Sequence, residues 1–163
     1  MIRELTEKDF EEIYNIINLA ARADKGFIPD DCYHEPYMSR AELRREMSEM
    51  SFYGWDEAGR LIAVAGFQPV DDVCLIRHVY VLPERQRRGI GSRLCIYLKE
   101  LTRTKRLLVG TWAGAAWAVR FYEKLGFTLL PGKDALLDRY WRIPARQRDV
   151  SVVLGLEMEP KTA

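Results

Sequence analysis

The sequence predicts an α/β domain on a mixed sheet, antiparallel in its first strands and parallel in its middle, flanked by about four helices. Three observations carry this reading. Apolar residues Phe10, Ile13, Ile17 and Ala20 recur at helical spacing. The period then changes over FYGWDE, RLIAVAGFQPV and VCLIRHVYVL, three strand-like runs divided by the turn segments DEAG and VDD. Finally, the run VCLIRHVYVL, a segment with Leu94, Leu98 and Leu101 on one face, and RLLVGTW succeed one another as strand, helix and strand. Such a unit joins parallel strands by a right-handed crossover.

Each element has a local reason. IRELT reads as a short opening strand, and Thr6 with Asp9 forms a capping signal for the helix that follows. Gly26 and Pro29 end that helix. FIPDDCYHEPYMS (27–39) is loop-like, and Ser39 caps a second helix, RAELRREMSEM. AAWAVRFYEKLGF (115–127) is helical, with Gly126 placed as its C-terminal cap. TLLP, a DRYW segment and SVVLGLEM close the chain as one or two further strands. WRIPARQRDVSVVL sets Pro144 among Arg139, Arg142, Arg146 and Arg148, either capping a pocket or forming an exposed crossover loop.

A chain of 163 residues holds one domain, 1–163, with a real core. No apolar run approaches a membrane span, and MIRELTEKDF lacks a secretory core, so a cytoplasmic protein without a membrane partner is expected. Cys32, Cys74 and Cys95 form no pair motif, and His34 and His78 stand far apart, so no metal site is expected. A net charge of +1 argues against a nucleic-acid partner. Charge is nevertheless uneven. Acids crowd the first third, while Arg85, Arg87, Arg88, Arg93, Lys99, Arg103, Lys105 and Arg106 follow one another later.

The stretch PERQRRGIGSRL (83–94) sets cations against two glycines where a helix begins. Glycine lets the backbone turn sharply and lets a ligand touch main-chain N–H groups. The first N–H groups of a helix lack internal partners and carry the positive end of its dipole. Together these features suit a phosphate or pyrophosphate. The nucleotide P-loop pattern is absent, and the dinucleotide fingerprint fails because Leu94 stands where a third glycine belongs. On spacing alone a plain strand-to-helix turn stays open.

VYVLPERQRRGIGSRL, followed by RFYEKLGF (120–127), resembles the GNAT superfamily of acyl-CoA-dependent N-acyltransferases. The family's pyrophosphate motif is Gln/Arg-x-x-Gly-x-Gly/Ala, and QRRGIG matches each constrained position. IRELTEKDFEEI also resembles the family's opening strand and helix. The resemblance implies acetyl-CoA as co-substrate and a central parallel pair splayed around its arm. Main-chain groups of Val79, Tyr80 and Val81 would bind the pantetheine. Amides of Arg87, Arg88, Gly89, Ile90, Gly91 and Ser92 would hold the pyrophosphate, with Gln86 fixing the loop.

In the family the amine attacks the thioester directly. The resemblance implies that the Val79 N–H stabilises the oxyanion and that Tyr122 protonates the leaving thiolate. Tyr122 shares a helix face with Ala118 and Leu125, so a core role stays open. Members acting on protein N-termini commonly carry a glutamate near the place of Gly110, and many have an asparagine at the place of Ala115. Both departures weaken that mechanism here. His78, Glu35 and His34 are candidate bases, with a water chain as the alternative. Strand alternation turns His78 toward the core, where a structural, hydrogen-bonded histidine is the favoured reading, and turns Arg77 the other way. Arg77 would bind an acceptor carboxylate or pair with an acid of the N-terminal third. Tyr33, Glu35 and Trp112 complete the acceptor candidates. The expected activity is N-acetyl transfer to a small-molecule, amino-acid-like or peptide amine, by a monomer or homodimer. A non-catalytic acyl-CoA sensor is the alternative.

Overall fold

The chain opens with β1 (Ile2–Glu4), which pairs antiparallel with β2 (Ser51–Glu57), Ile2 facing Trp55 and Glu4 facing Tyr53. The capping signal is real. The Thr6 hydroxyl accepts from the Lys8 N–H at 3.3 Å, and the Asp9 carboxylate accepts from the Thr6 N–H at 2.8 Å. Asp9 also holds Arg3 at 2.8 Å, tying the strand to the helix start. Helix α1 (Phe10–Ala20) buries Ile13, Ile16, Ile17 and Ala20, the face its spacing defines. Ser39 caps α2 (Arg40–Glu49), its hydroxyl accepting from the Glu42 N–H at 3.1 Å. The Asn18 amide clamps the Met38 backbone, donating to its carbonyl at 3.0 Å and accepting from its N–H at 2.8 Å.

β2 turns into β3 (Arg60–Val70) through Ala58 and Gly59, both at positive φ, in antiparallel register from Ser51–Phe67 to Glu57–Arg60. Every residue from Leu61 to Phe67 is buried, as in a strand covered on both faces. A second reversal at Asp71, φ 51°, leads into β4 (Val73–Val81). Helix α3 (Ile90–Leu101) follows, burying Leu94, Cys95 and Leu98.

Next come β5 (Arg106–Trp112), α4 (Ala116–Lys124), β6 (Thr128–Leu129), α5 (Lys133–Tyr140), α6 (Ala145–Asp149) and β7 (Ser151–Glu157). β7 lies antiparallel to both β5 and β6, with Trp112 opposite Ser151 and Thr128 opposite Gly155. The strand, helix, strand succession β4, α3, β5 and the mixed α/β class stand as expected. Two expectations are corrected. The DRYW segment is not a strand: Leu137 and Tyr140, three residues apart, bury one face of α5. The arginine-rich segment after Pro144 is not an irregular crossover loop but forms the short helix α6. Among the described residues the α-helices number six.

This computed structural model describes residues 1–159, so residues 160–163 of the expected 1–163 domain lie outside the described residues. The chain divides into two compact units. The first comprises Met1–Ala23, His34–Gln68 and Ile76–Leu101; the second comprises Asp24–Tyr33, Pro69–Leu75 and the chain from Thr102 onward. The first unit's core is Ile13, Ile17, Leu43, Phe52, Ile62 and Leu98 with their neighbours. The second unit packs Val73, Leu75, Leu108, Leu137, Tyr140, Trp141 and Val153 together. No described helix is long and apolar enough to cross a membrane.

Candidate functional site

The anion-suited turn lies wholly in the first unit. Past the end of β4 the Leu82 N–H donates to the Ile62 carbonyl at 2.9 Å, anchoring the chain to β3. A single 3-10 turn, Pro83–Arg85, then reverses it. The Gln86 side chain donates from Nε2 to the Val81 carbonyl at 3.0 Å, closing the loop back on the strand that feeds it. Arg87 and Gly89 both have positive φ, 65° and 76°. A β-carbon on Gly89 would meet nothing within 4 Å, so glycine serves the backbone conformation there rather than a tight space.

The Arg93 N–H donates to the Gly89 carbonyl at 3.0 Å. The amides of Ile90, Gly91 and Ser92 come before the fourth position of the helix and have no intrahelical acceptor. Arg87 and Arg88 are exposed beside them. Such a turn offers directed N–H donors, a dipole end and exposed cations to an anion.

Upstream on β4 the structure departs from simple alternation. His78 has φ 55°, and this turned residue brings Arg77 and His78 to the same partner. The His78 Nε2 lies 3.2 Å from Glu46 Oε1, and Arg77 Nη2 lies 3.2 Å from that same oxygen. Arg77 and His78 therefore do not diverge as an unbroken strand would require. Arg77 Nη1 also reaches Gln68 Oε1 at 3.3 Å, and the His78 ring stacks on Phe52 at 6.1 Å and 12°. The ion-pair alternative for Arg77 is the one found, with Glu46 as the acid.

Burial pushes the Glu46 carboxyl up, but the His78 hydrogen bond and the charges of His78, Arg77 and Arg45 outweigh it, and its pKa falls below the ordinary range. Burial lowers His78, with Arg77 acting in the same sense, against the raising pull of Glu46 and Glu42. At neutral pH Glu46 is thus an ionised carboxylate, accepting from Arg77 and lying within hydrogen-bond distance of His78 Nε2. Val79, Tyr80 and Val81 follow, each half-buried, and the Tyr80 ring lies 6.5 Å from that of Tyr37. Glu35 is exposed and pairs with Arg22 at 3.6 Å.

The remaining candidates belong to the second unit. Tyr122 is buried on α4 in edge contacts with Phe121 at 5.0 Å and Phe127 at 5.8 Å. Trp112 closes β5, half-buried. Tyr33 follows a 3-10 turn, its N–H donating to the Asp30 carbonyl at 3.3 Å. In the same unit, burial pushes the Asp24 carboxyl up to about 6. A β-carbon on Gly110 would touch the Trp141 ring at 3.4 Å. Ala115 is buried and accepts from the Ala118 N–H at 3.0 Å.

Sequence reasoning missed Glu46, Gln68 and Phe52. For Glu46 a signal existed: it stands three residues after the buried Leu43 and four before the buried Met50, a charge on the apolar side of its helix. Among the described residues no group of three or more His, Cys, Asp or Glu is placed to hold a metal ion.

Solved structures match nearly the whole chain. An N-acetyltransferase from Staphylococcus aureus Mu50 matches at 22% identity over 96% of each chain, with a TM-score of 0.69. The PaiA N-acetyltransferase from Thermoplasma acidophilum, solved in complex with coenzyme A, matches at 16% identity over 97% of this chain and 98% of its own, with a TM-score of 0.73. The ribosomal-protein-S18-alanine N-acetyltransferase from Escherichia coli matches at 19% identity over 99% and 96%, with a TM-score of 0.68. At these identities the likeness shows a shared fold. No curated protein matches the chain. Residues 7–127 match the family described as Acetyltransferase (GNAT). The chain belongs to the GNAT acetyltransferase family.

Proposed function

We propose that this protein is an acetyl-CoA-dependent N-acetyltransferase that moves an acetyl group to a primary amine of a small-molecule, amino-acid-like or peptide acceptor. The observation that carries the reading is the turn from Gln86 to Ser92. Its side chain-to-strand bond, its two positive-φ residues and its run of helix-start amides suit a diphosphate. The family match and a relative solved with coenzyme A support the donor. Acetyl-CoA supplies an activated thioester, and the residues present fit its anionic part: directed amides, a glycine with open space, and exposed Arg87 and Arg88.

In this reading the amides from Arg87 to Ser92 bind the diphosphate, and Gln86 holds their loop to β4. Main-chain groups of Val79, Tyr80 and Val81 align the pantetheine as an added strand would. The Val79 N–H polarises the thioester carbonyl and stabilises the oxyanion formed when the neutral amine attacks in the ternary complex. One such donor is worth on the order of 3 kcal/mol. Tyr122 gives its phenolic proton to the departing thiolate, a role for which a phenol is in the required form at neutral pH; the attacking nitrogen releases its extra proton to water, and the phenolate regains one from water.

Tyr33, Glu35 and Trp112 contribute to acceptor recognition, while Arg77 is held in its ion pair with Glu46. Alignment of the two substrates supplies the largest share of the acceleration. The protein acts in the cytoplasm as a single 1–163 domain, as a monomer or homodimer.

The test is calorimetric titration with acetyl-CoA, followed by a panel of amines with release of the free thiol as readout. Uptake of acetyl-CoA and turnover of at least one amine are expected. Absence of uptake overturns the reading. Uptake without turnover of any amine replaces it with the sensor alternative.

A further inference from the structure

We propose that Glu46 is a positioning residue for acyl transfer: through His78 it holds the β4 backbone in the turned conformation that aims the Val79 N–H. The inference rests on the oxyanion role given to Val79 above.

The N–H of Val79 belongs to the peptide plane that leaves His78, so the dihedral angles of His78 set its direction. His78 sits at φ 55°, where a β-carbon is disfavoured. A side chain held there persists because its surroundings fix it, and such residues cluster at functional sites. Four elements supply the fixing. From α2, Glu46 Oε1 binds His78 Nε2 at 3.2 Å. From β2, Phe52 stacks on the ring. From β4 itself, Arg77 grips Glu46 at 3.2 and 3.5 Å.

From β3, Gln68 Oε1 also accepts from Arg77 Nη1, at 3.3 Å, and Gly66 leaves room for the strand. A β-carbon on Gly66 would stand 3.0 Å from the Arg77 carbonyl oxygen and 2.9 Å from Met50 Sδ. The side chains of Glu46, Arg77 and His78 are only 12%, 13% and 15% exposed, so solvent competes little for these bonds. With Nε2 engaged by Glu46, the ring acts as an anchor. The acid on the apolar side of α2 thereby has a task that core packing does not explain.

Glycine separates anchoring from chemistry, because it adopts positive φ without help. The variants are His78→Ala, His78→Gly, Glu46→Ala, Glu46→Gln and the double variant Glu46→Ala/His78→Gly. Two readouts are used: kcat and KM with an amine the panel turns over, and the Val79 amide NMR resonance with acetyl-CoA compared with CoA. Misaiming one oxyanion donor is expected to lower kcat about 100-fold in His78→Ala and Glu46→Ala, with the KM for acetyl-CoA held within about twofold. His78→Gly should stay within about fivefold of wild type, and adding Glu46→Ala to it should change nothing further. Glu46→Gln, which retains an oxygen for His78, should keep most activity.

Should Glu46→Ala fail to fold, the comparison of His78→Gly with His78→Ala decides alone. A His78→Gly protein as slow as His78→Ala, or a Glu46 effect that survives in the glycine background, overturns the inference. If the wild type binds acetyl-CoA but turns over no amine, the function reading fails instead. The Val79 resonance then still judges the positioning: it should shift in His78→Ala and return toward wild type in His78→Gly.

Discussion

The carbonyl oxygen of Phe27 occupies the space that a β-carbon on Gly114 would need. The 24–33 loop is thereby seated on the start of α4, where the Phe27 ring also meets Trp117 edge-on at 4.7 Å. Alanine at 114 must push backbone aside, and backbone yields less readily than a side chain. Gly114→Ala is expected to destabilise by about 1–3 kcal/mol. Gly110→Ala makes the same chemical change against a ring at ordinary contact distance, and should cost less than about 1 kcal/mol. Urea unfolding of the two variants side by side checks this; equal losses contradict it.

Gly89 has φ 76° with open space around it, so alanine there strains the backbone and clashes with nothing. A left-handed conformation costs a residue with a β-carbon roughly 1–2 kcal/mol. Gly89→Ala should weaken acetyl-CoA binding about tenfold by calorimetry, while Gln86→Ala, losing one exposed hydrogen bond, weakens it about threefold. A larger effect at Gln86 than at Gly89 would count against a backbone cradle.

Tyr122→Phe preserves the ring that Phe121 and Phe127 pack against, so the fold should hold. Loss of the proposed proton donor should lower kcat about 10²-fold and leave acetyl-CoA affinity within about twofold. Tyr122→Ala removes the packing too and should destabilise by about 3–5 kcal/mol. If Tyr122→Phe keeps full kcat, the residue is core alone.

The anchor makes stability depend on pH. His78 has its folded pKa depressed below its ordinary 6.5, by burial first and then by Arg77, against Glu46 and Glu42. Between the folded and unfolded values the unfolded chain binds the extra proton, so stability is present above pH 6.5 and is lost as pH falls below it. Glu46, depressed below 4.5, adds a second loss of the same sign at lower pH. His78→Gly should flatten the first of these losses in urea midpoints between pH 5 and about pH 7.

Asp24 has the opposite sign. Burial raises it from 3.8 to about 6, so its contribution is favourable below pH 3.8 and is lost as pH rises through about 6. Asp24→Asn should therefore stabilise the protein at pH 8 by about 1–3 kcal/mol and leave it unchanged below pH 3.8. A variant no more stable at pH 8 than the wild type would disprove this.

What could be read directly was local. Helix α1, the Thr6–Asp9 box, the Ser39 cap, the glycine turn and the Gly126 cap depend on residues a few positions apart, and all stand where their spacing puts them. α5 was misread because Tyr140 and Trp141 favour strands, although Leu137 and Tyr140 already had helical spacing. Alternation failed at Arg77 and His78 because it assumes an unbroken strand, and nothing in VCLIRHVYVL marks the turned residue. Glu46 lies thirty-two positions from His78, and their meeting depends on how α2 docks beside β2 and β4, which no local pattern encodes.

The indole of Trp141 beside Gly110 also constrains the routes by which this sequence can change. Anything bulkier than a methyl group at 110 must displace that ring, so substitutions there are conditional on what stands at 141. A longer side chain at 110 is therefore coupled to the size of the residue at 141, tying together two positions thirty-one apart in the sequence.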